Sequence, residues 1–266
     1  EPNNITFQQR KDFHSVLALN LVKVPYDMFF QAENLKTVIM PEVVEINIGN
    51  NEMGAFVGTK VSRCSFGKLQ RVGNNAFKGC SIRKLDKENF PQLMTVGKAG
   101  FANNRIKRLN LPNLQQIDDF GFSDCPITDL KLPKLVQIGK NGFSNCKILT
   151  EFTANSLTAI GQGCFSNCPQ LKSINCDLKL EDFVCRTEDK QSCFECPVCY
   201  GEVAECLQRG RSREQIQNVQ FDDLKTNEVL QQFRVNIKVR QVLEAVDGQV
   251  INGCLILKKE EYEKEA

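Results

Sequence analysis

The stretch Leu114-Gln-Gln-Ile117-Asp118-Asp-Phe-Gly-Phe122 is answered 21 residues later by Leu135-Val-Gln-Ile138-Gly139-Lys-Asn-Gly-Phe143, and this pair decides the fold. The same line is written before them as Leu93-Met-Thr-Val96-Gly97-Lys-Ala-Gly-Phe101 and after them as Leu157-Thr-Ala-Ile160-Gly161-Gln-Gly-Cys-Phe165. Three residues past each Phe stands Cys or Asn: Cys80, Asn104, Cys125, Cys146 and Cys168. An apolar group then closes each unit, as in Ile127-Thr-Asp-Leu130-Lys-Leu132-Pro133. Unit starts fall at Leu69, Leu93, Leu114, Leu135 and Leu157, so the period runs from 21 to 24 residues.

The template extends backwards. Leu21, Val24, Phe29, Leu35, Val38, Met40 and Pro41 fit it directly. Val43, Ile46, Phe56, Val61, Cys64 and Phe66 fit it with about five residues inserted near Gly49 to Gly54. About seven repeats therefore span residues 21–176. A period of this length with Leu-x-x-Ile and Leu-x-Leu spacing is the mark of a leucine-rich solenoid. One such repeat cannot bury its own apolar residues, so repeats stack into one continuous core. The Phe column at 29, 56, 77, 101, 122, 143 and 165 is expected to be a stacked spine. Gly73, Gly97, Gly139 and Gly161 are expected at a turn with positive φ, with Asp118 tolerating the same conformation.

The full motif, Leu-x-x-Ile-Gly-x-x-x-Phe-x-x-Cys-x-x-Leu-x-x-Leu-x-Leu-Pro, resembles the BspA-like (treponemal-type) leucine-rich repeat over residues 21–176. The resemblance implies a binding or adhesive role at a cell surface or outside the cell, rather than an enzyme. Two repeats depart from the pattern, at the Gly49–Gly54 insertion and at Lys87–Gln92, where the Leu-Pro ending is replaced. The expected fold is a right-handed leucine-rich-repeat solenoid with short strands on the concave face, a cysteine-rich C-terminal cap and a small β-containing C-terminal module. The division is an N-terminal cap (1–20), the solenoid (21–176), the cysteine-rich cap (177–207), then a linker, a β-containing module and a charged tail (208–266).

In each Leu-x-x-Leu-x-Leu segment the residues between the leucines alternate outward. The first outward column reads Thr37, Arg63, Lys84, Arg108, Asp129, Glu151, Ser173; the second reads Ile39, Ser65, Asp86, Asn110, Lys131, Thr153, Asn175. Three successive basic residues followed by two acidic ones predict a strip of changing sign, suited to a partner of opposite pattern. From these columns Thr37, Arg63, Lys84, Asp86, Arg108, Asn110, Asp129, Lys131, Glu151, Ser173 and Asn175 are the candidate partner-binding residues. The competing reading is a set of solvated strand residues with no partner.

Composition closes other routes. The 266 residues hold 13 Cys, 18 Phe, no Trp and one His, with a formal net charge of +2. With His14 alone, histidine-ligated metal catalysis and catalytic triads lack their imidazoles. No nucleophile elbow, P-loop or dinucleotide fingerprint occurs. A near-neutral charge gives no reason to expect nucleic acid, and no cofactor is called for. The apolar run from Val16 to Val24 is interrupted by Asn20 and Lys23 and is far below the ~20 residues of a membrane helix. The chain begins at Glu1, as a processed or truncated protein would, and carries one sequon, Asn4-Ile5-Thr6.

The cysteines form two populations. Those at 80, 125, 146 and 168 occupy the inward polar position of the repeat and are expected to stay reduced, as is Cys64 in a strand; Cys164 has no template role. The second population, Cys176, Cys185, Cys193, Cys196, Cys199 and Cys206, is even in number and follows the last repeat, which suits a disulfide-linked cap. The alternative is an intracellular scaffold with zinc on Cys193, Cys196, Cys199 and Cys206, since Cys-Pro-Val-Cys has knuckle spacing. Beyond them, Val235, Ile237 and Val239 alternate with polar residues, and Asp247-Gly248 between apolar runs signals a hairpin.

Overall fold

A computed structural model describes residues 7–47, 53–178, 249–251 and 254–257. Two ladders of very short parallel strands run side by side along a solenoid of about seven turns. The first is made of β1 (Ser15–Ala18), β3 (Thr37–Ile39), β5 (Arg63–Ser65), β7 (Lys84–Asp86), β9 (Arg108–Asn110), β11 (Asp129–Lys131), β13 (Glu151–Thr153) and β15 (Ser173–Asn175). The second, of two residues per strand, is made of β2 (Lys23–Val24), β4 (Glu45–Ile46), β6 (Arg71–Val72), β8 (Thr95–Val96), β10 (Gln116–Ile117), β12 (Gln137–Ile138) and β14 (Ala159–Ile160).

Register follows the repeat letter by letter. Leu109 pairs with Leu130, Leu130 with Phe152 and Phe152 with Ile174, all buried. In the second ladder Val96, Ile117, Ile138 and Ile160 stand opposite one another. Alternation in three residues leaves one side chain inward and two outward, so a strand this short suffices for one core position per turn.

The expected Phe spine is present and longer than the repeat register indicated. Phe29, Phe56, Phe77, Phe101, Phe122, Phe143 and Phe165 stack with centroids 4.8–6.2 Å apart and planes within 15°. Phe7 continues the stack onto Phe29 at 5.3 Å and 5°. Upstream of Leu21, β1 also pairs in parallel with β3, so chain before the first recognised repeat already obeys its geometry. All eight rings are essentially excluded from water. Each such ring contributes roughly 1.5–3 kcal/mol through apolar burial.

The turn glycines need a correction. Gly73, Gly97, Gly139, Gly161 and Asp118 do not have positive φ; among their equivalents only Asn47, next to the insertion, does, at 54°. The left-handed residues lie elsewhere, two positions after each Phe: Gln9, Gln31, Gly58, Gly79, Asn103, Asp124, Asn145 and Asn167, with φ between 55° and 78°. A second set lies two positions before it, at Asn75, Ala99, Phe120, Asn141 and Gly163. Asn and Asp tolerate this conformation better than most side chains, which explains their abundance in the first set. The glycines that recur from repeat to repeat serve close approach instead. A Cβ on Gly73 would lie 1.8 Å from Asn47 O, and one on Gly139 would lie 2.5 Å from Asp119 N.

At the other end of the chain, β16 (Gln249–Ile251) and β17 (Cys254–Leu257) form an antiparallel hairpin in which Ile251 stands opposite Cys254. Strand β17 pairs antiparallel with β1, Ser15 opposite Leu257. The C-terminal segment thus returns to the N-terminal edge of the solenoid and covers a strand edge that would otherwise be open to pairing. The strands are separated by Asn252-Gly253 in the sequence, the other dipeptide of hairpin type in this segment. The expected turn at Asp247-Gly248 and the alternating run from Val235 to Val239 lie outside the described residues.

Candidate partner-binding face

The three-residue ladder carries the candidate residues, and its register puts each outward column in line. Thr37 pairs with Arg63, Lys84 with Arg108, Arg108 with Asp129, Asp129 with Glu151 and Glu151 with Ser173. In the second column Asp86, Asn110, Lys131, Thr153 and Asn175 follow one another. Within each run of paired strands, one parallel strand per turn leaves no freedom of register, so the sequence spacing and the pairing agree there.

Their exposure is less uniform. Arg63, Lys84, Arg108, Asn110 and Lys131 are exposed, while Thr37, Glu151 and Asn175 are half-buried. Asp86 is only 7% exposed and Ser173 only 6%. Asp86 is occupied locally: its Oδ1 accepts the backbone N–H groups of Glu88 and Asn89 at 3.0 and 3.1 Å. Its Oδ2 pairs with Lys84 Nζ, which also reaches Glu88 Oε2 at 3.1 Å. The hydrogen bonds that Lys84 donates to Asp86 and Glu88 push its ammonium above the ordinary range and hold it charged, but the two carboxylates also neutralise its field. Of the three cations in the first column, Arg63 and Arg108 therefore present the less compensated charge.

The ladder is also interrupted. Strands β1, β3 and β5 belong to one sheet and β7 to β15 to another, with no pairing between β5 and β7. The second ladder runs unbroken past the same point from β2 to β14, and Phe56 and Phe77 stack at 4.8 Å across it. The cause lies in the repeat that lost its Leu-Pro ending. Residues after Asp86 fold onto its carboxylate, Phe90 N–H reaches Asp86 O at 2.8 Å, and Phe90 fills the core in place of the missing leucine. Flanking hydrogen bonds survive, Ser81 N to Val61 O at 2.8 Å and Phe66 N to Asn89 O at 2.9 Å.

Beneath this face the inward polar column is a chain of satisfied donors. The thiols of Cys80, Cys125, Cys146 and Cys168 each donate to the carbonyl of the Phe one repeat earlier, at 3.1–3.4 Å. Asn104 does the same to Phe77 O at 2.7 Å and also accepts from Ile82 N at 3.1 Å. Thr59 fills the equivalent place with a bond to Phe56 O. Burial pushes the Cys80 and Cys125 thiols up to about 12, and Cys64, Cys146 and Cys164 up in the same way. Thiols held so far from ionisation are poor nucleophiles and poor metal ligands. Cys164 stands where Ala55, Ala76, Gly100, Gly121 and Gly142 stand in other turns, so it is a small-residue position filled by a thiol. No disulfide joins any two of the seven cysteines from Cys64 to Cys176. Cys176 is buried at the last described turn. Cys185, Cys193, Cys196, Cys199 and Cys206, and with them both the disulfide cap and the alternative zinc site, lie outside the described residues.

No helix among the described residues is long and apolar enough to cross a membrane. A family model described as the BspA type leucine-rich repeat region matches residues 3–84 and 94–186 in six copies. No curated protein matches the chain. Solved structures similar to it include a leucine-rich repeat protein from Eubacterium ventriosum, at 17% identity and a TM-score of 0.32, covering 59% of this chain and 58% of that one. A leucine-rich repeat protein from Bacteroides ovatus shows 15% identity and a TM-score of 0.29 over 66% and 64%. A leucine rich cell surface protein from Faecalibacterium prausnitzii shows 16% identity and a TM-score of 0.29 over 61% and 66%. The chain spans less than two thirds of each of these structures.

Proposed function

Because the chain belongs to the BspA type leucine-rich repeat family, we propose that it is a non-enzymatic recognition module, at the cell surface or outside the cell, that binds a protein partner through the face of its three-residue strands. The observation that carries this reading is the in-register outward column, basic at Lys84 and Arg108 and acidic at Asp129 and Glu151, with Arg63 on the last strand of the neighbouring sheet. A solenoid presents such columns on an extended, rigid surface, which is how repeat proteins recognise partners. A charge pattern that changes sign along the surface favours one orientation of a partner over the reverse.

The domain division belongs to the same proposal: an N-terminal cap over 1–20, the solenoid over 21–176, a disulfide cap over 177–207 and a C-terminal module over 208–266. Counting free thiols in denaturant beside a zinc assay tests the cap. Protected thiols without zinc support it, and stoichiometric zinc overturns both the cap and the extracellular placement. For the binding face, a partner captured by the full chain is measured against the triple charge reversal of Arg63, Lys84 and Arg108. Loss of affinity with unchanged folding supports the reading. Unchanged affinity removes this face.

A further inference from the structure

Beside the break between β5 and β7 the solenoid holds a cavity of about 420 Å³, open to solvent and lined by Lys36, Lys60, Ser62, Arg63, Ser81 and Arg83. From this we infer that the cavity is a binding site for a compact oxyanion ligand, a sugar-like polyol carrying more than one sulfate or phosphate ester.

The residues arrive there by stacking. Lys36, Ser62 and Arg83 are the positions just before β3, β5 and β7, and Lys60 and Ser81 each stand two residues earlier. The repeats thus bring cations from three successive turns together at one lateral edge, the paired β3 and β5 being about 4.8 Å apart. Further along the same columns stand Arg105 and Lys107 on the next turn, then Pro126 and Thr128, Ile148 and Thr150, and Gln170 and Lys172, so the basic run belongs to the N-terminal half of the solenoid and not to every repeat.

The charges are uncompensated, in contrast to others on the molecule. Lys23 and Arg71 share Glu45, Lys68 pairs with Glu42, and Lys84 pairs with Asp86 and Glu88. Among the described residues no carboxylate pairs with Lys36, Lys60, Arg63 or Arg83. Four like charges around one cavity repel one another and raise the local potential, a standing cost that an anionic ligand removes. Arginine guanidinium groups match the oxygens of sulfate and phosphate with two parallel N–H donors, and lysine adds a compact charge. The two serines supply hydroxyls that bond either an ester oxygen or a ligand hydroxyl.

The lining also argues against other classes. It contains no aromatic ring, so it lacks the stacking platform with which proteins hold single-stranded nucleic acid. It contains no apolar side chain to anchor a hydrophobic peptide residue. Its size lies within the range of small-ligand sites.

The site shares only Arg63 with the partner-binding face, so the two readings can fail separately. Calorimetric titration of the full chain uses sucrose octasulfate and inositol hexakisphosphate as probes, with sucrose as the uncharged comparison. Saturable one-to-one binding of either anion, weakening as salt rises, is the expected result, and the tighter of the two identifies the ester. The double variant Lys60→Ala with Arg83→Ala is expected to lose at least tenfold in affinity. Arg108→Ala and the double variant Lys140→Ala with Lys172→Ala, basic residues outside the cavity, are expected to change it less than twofold. All these side chains are exposed, and an unchanged urea midpoint verifies folding. No binding of either anion, full affinity in the Lys60/Arg83 variant, or equal loss in the Lys140/Lys172 variant overturns the site. None of these results bears on partner capture through Arg108, Asp129 and Glu151.

Discussion

The two ladders of this solenoid are built by the same repeats yet differ in regularity. The two-residue ladder and the Phe column beside it run without interruption from β2 to β14, through the insertion near Gly49 and past the irregular repeat at Lys87–Gln92. The three-residue ladder is broken between β5 and β7, and its outward residues change sign and burial from turn to turn. Cohesion is therefore concentrated on one side and variation on the other. A stack of equivalent rings tolerates one irregular turn because each ring touches both neighbours, so a gap in hydrogen bonding need not be a gap in the core.

That contrast predicts an order of effects. Phe101→Ala, in the middle of the stack, is expected to cost about 3–5 kcal/mol, read as a fall in the urea midpoint. A cost below about 1 kcal/mol would mean the column is not the seat of cohesion.

Raising the pH probes the buried thiols beside that column. Cys80 and Cys125 go from an ordinary value of 9.0 to about 12 on folding, so the folded chain holds protons that the unfolded chain releases. Stability is fully present below pH 9 and falls as pH rises from 9 towards 12. At pH 10 the loss is about 1.4 kcal/mol per thiol, and urea titrations at pH 8 and pH 10 measure it. Flat stability over that range would contradict the burial of these thiols.

Asn104→Leu removes the one amide in the cysteine column, takes one of two donors from Phe77 O and orphans Ile82 N. It is expected to cost about 1–3 kcal/mol, whereas Asn104→Cys, which restores the donor of the other turns, should cost less in the same assay. Gly139→Ala forces a methyl against Asp119 N, with an expected loss of about 1–3 kcal/mol from overpacking. If thermal melts show no loss, close approach of adjacent turns is not what keeps this position free of a side chain. The smallest effect belongs to the other ladder: Arg63→Glu should change stability by less than about 0.5 kcal/mol while altering what the face binds.

Much of this architecture was legible in the letters. The period, the seven rings from Phe29 to Phe165, the inward cysteine column and the alignment of Arg108, Asp129 and Glu151 all follow from one residue pattern repeated in register. Single positions were less legible. Gly73 and Gly139 read as residues of positive φ because that is glycine's commonest use, yet here they clear space for an adjacent turn, and the left-handed conformation falls on Asn103, Asn145 and Asn167. The strand-like C-terminal segment was visible in Leu255 to Leu257, but not its pairing with β1, since nothing local to Cys254–Leu257 encodes contact with residues 15–18.

The sequence by itself determined that this chain is a stack, its period and which side chains face inward, because a repeat that cannot bury its own core must use its neighbour. Only the tertiary structure decided where the stack is imperfect. The break between β5 and β7, the capture of Lys84 by Asp86 and Glu88, and the convergence of Lys36, Lys60, Arg63 and Arg83 come from contacts between turns. The physical reason is that periodicity specifies equivalent positions, while a site arises where one turn departs from equivalence and its neighbours adjust in space.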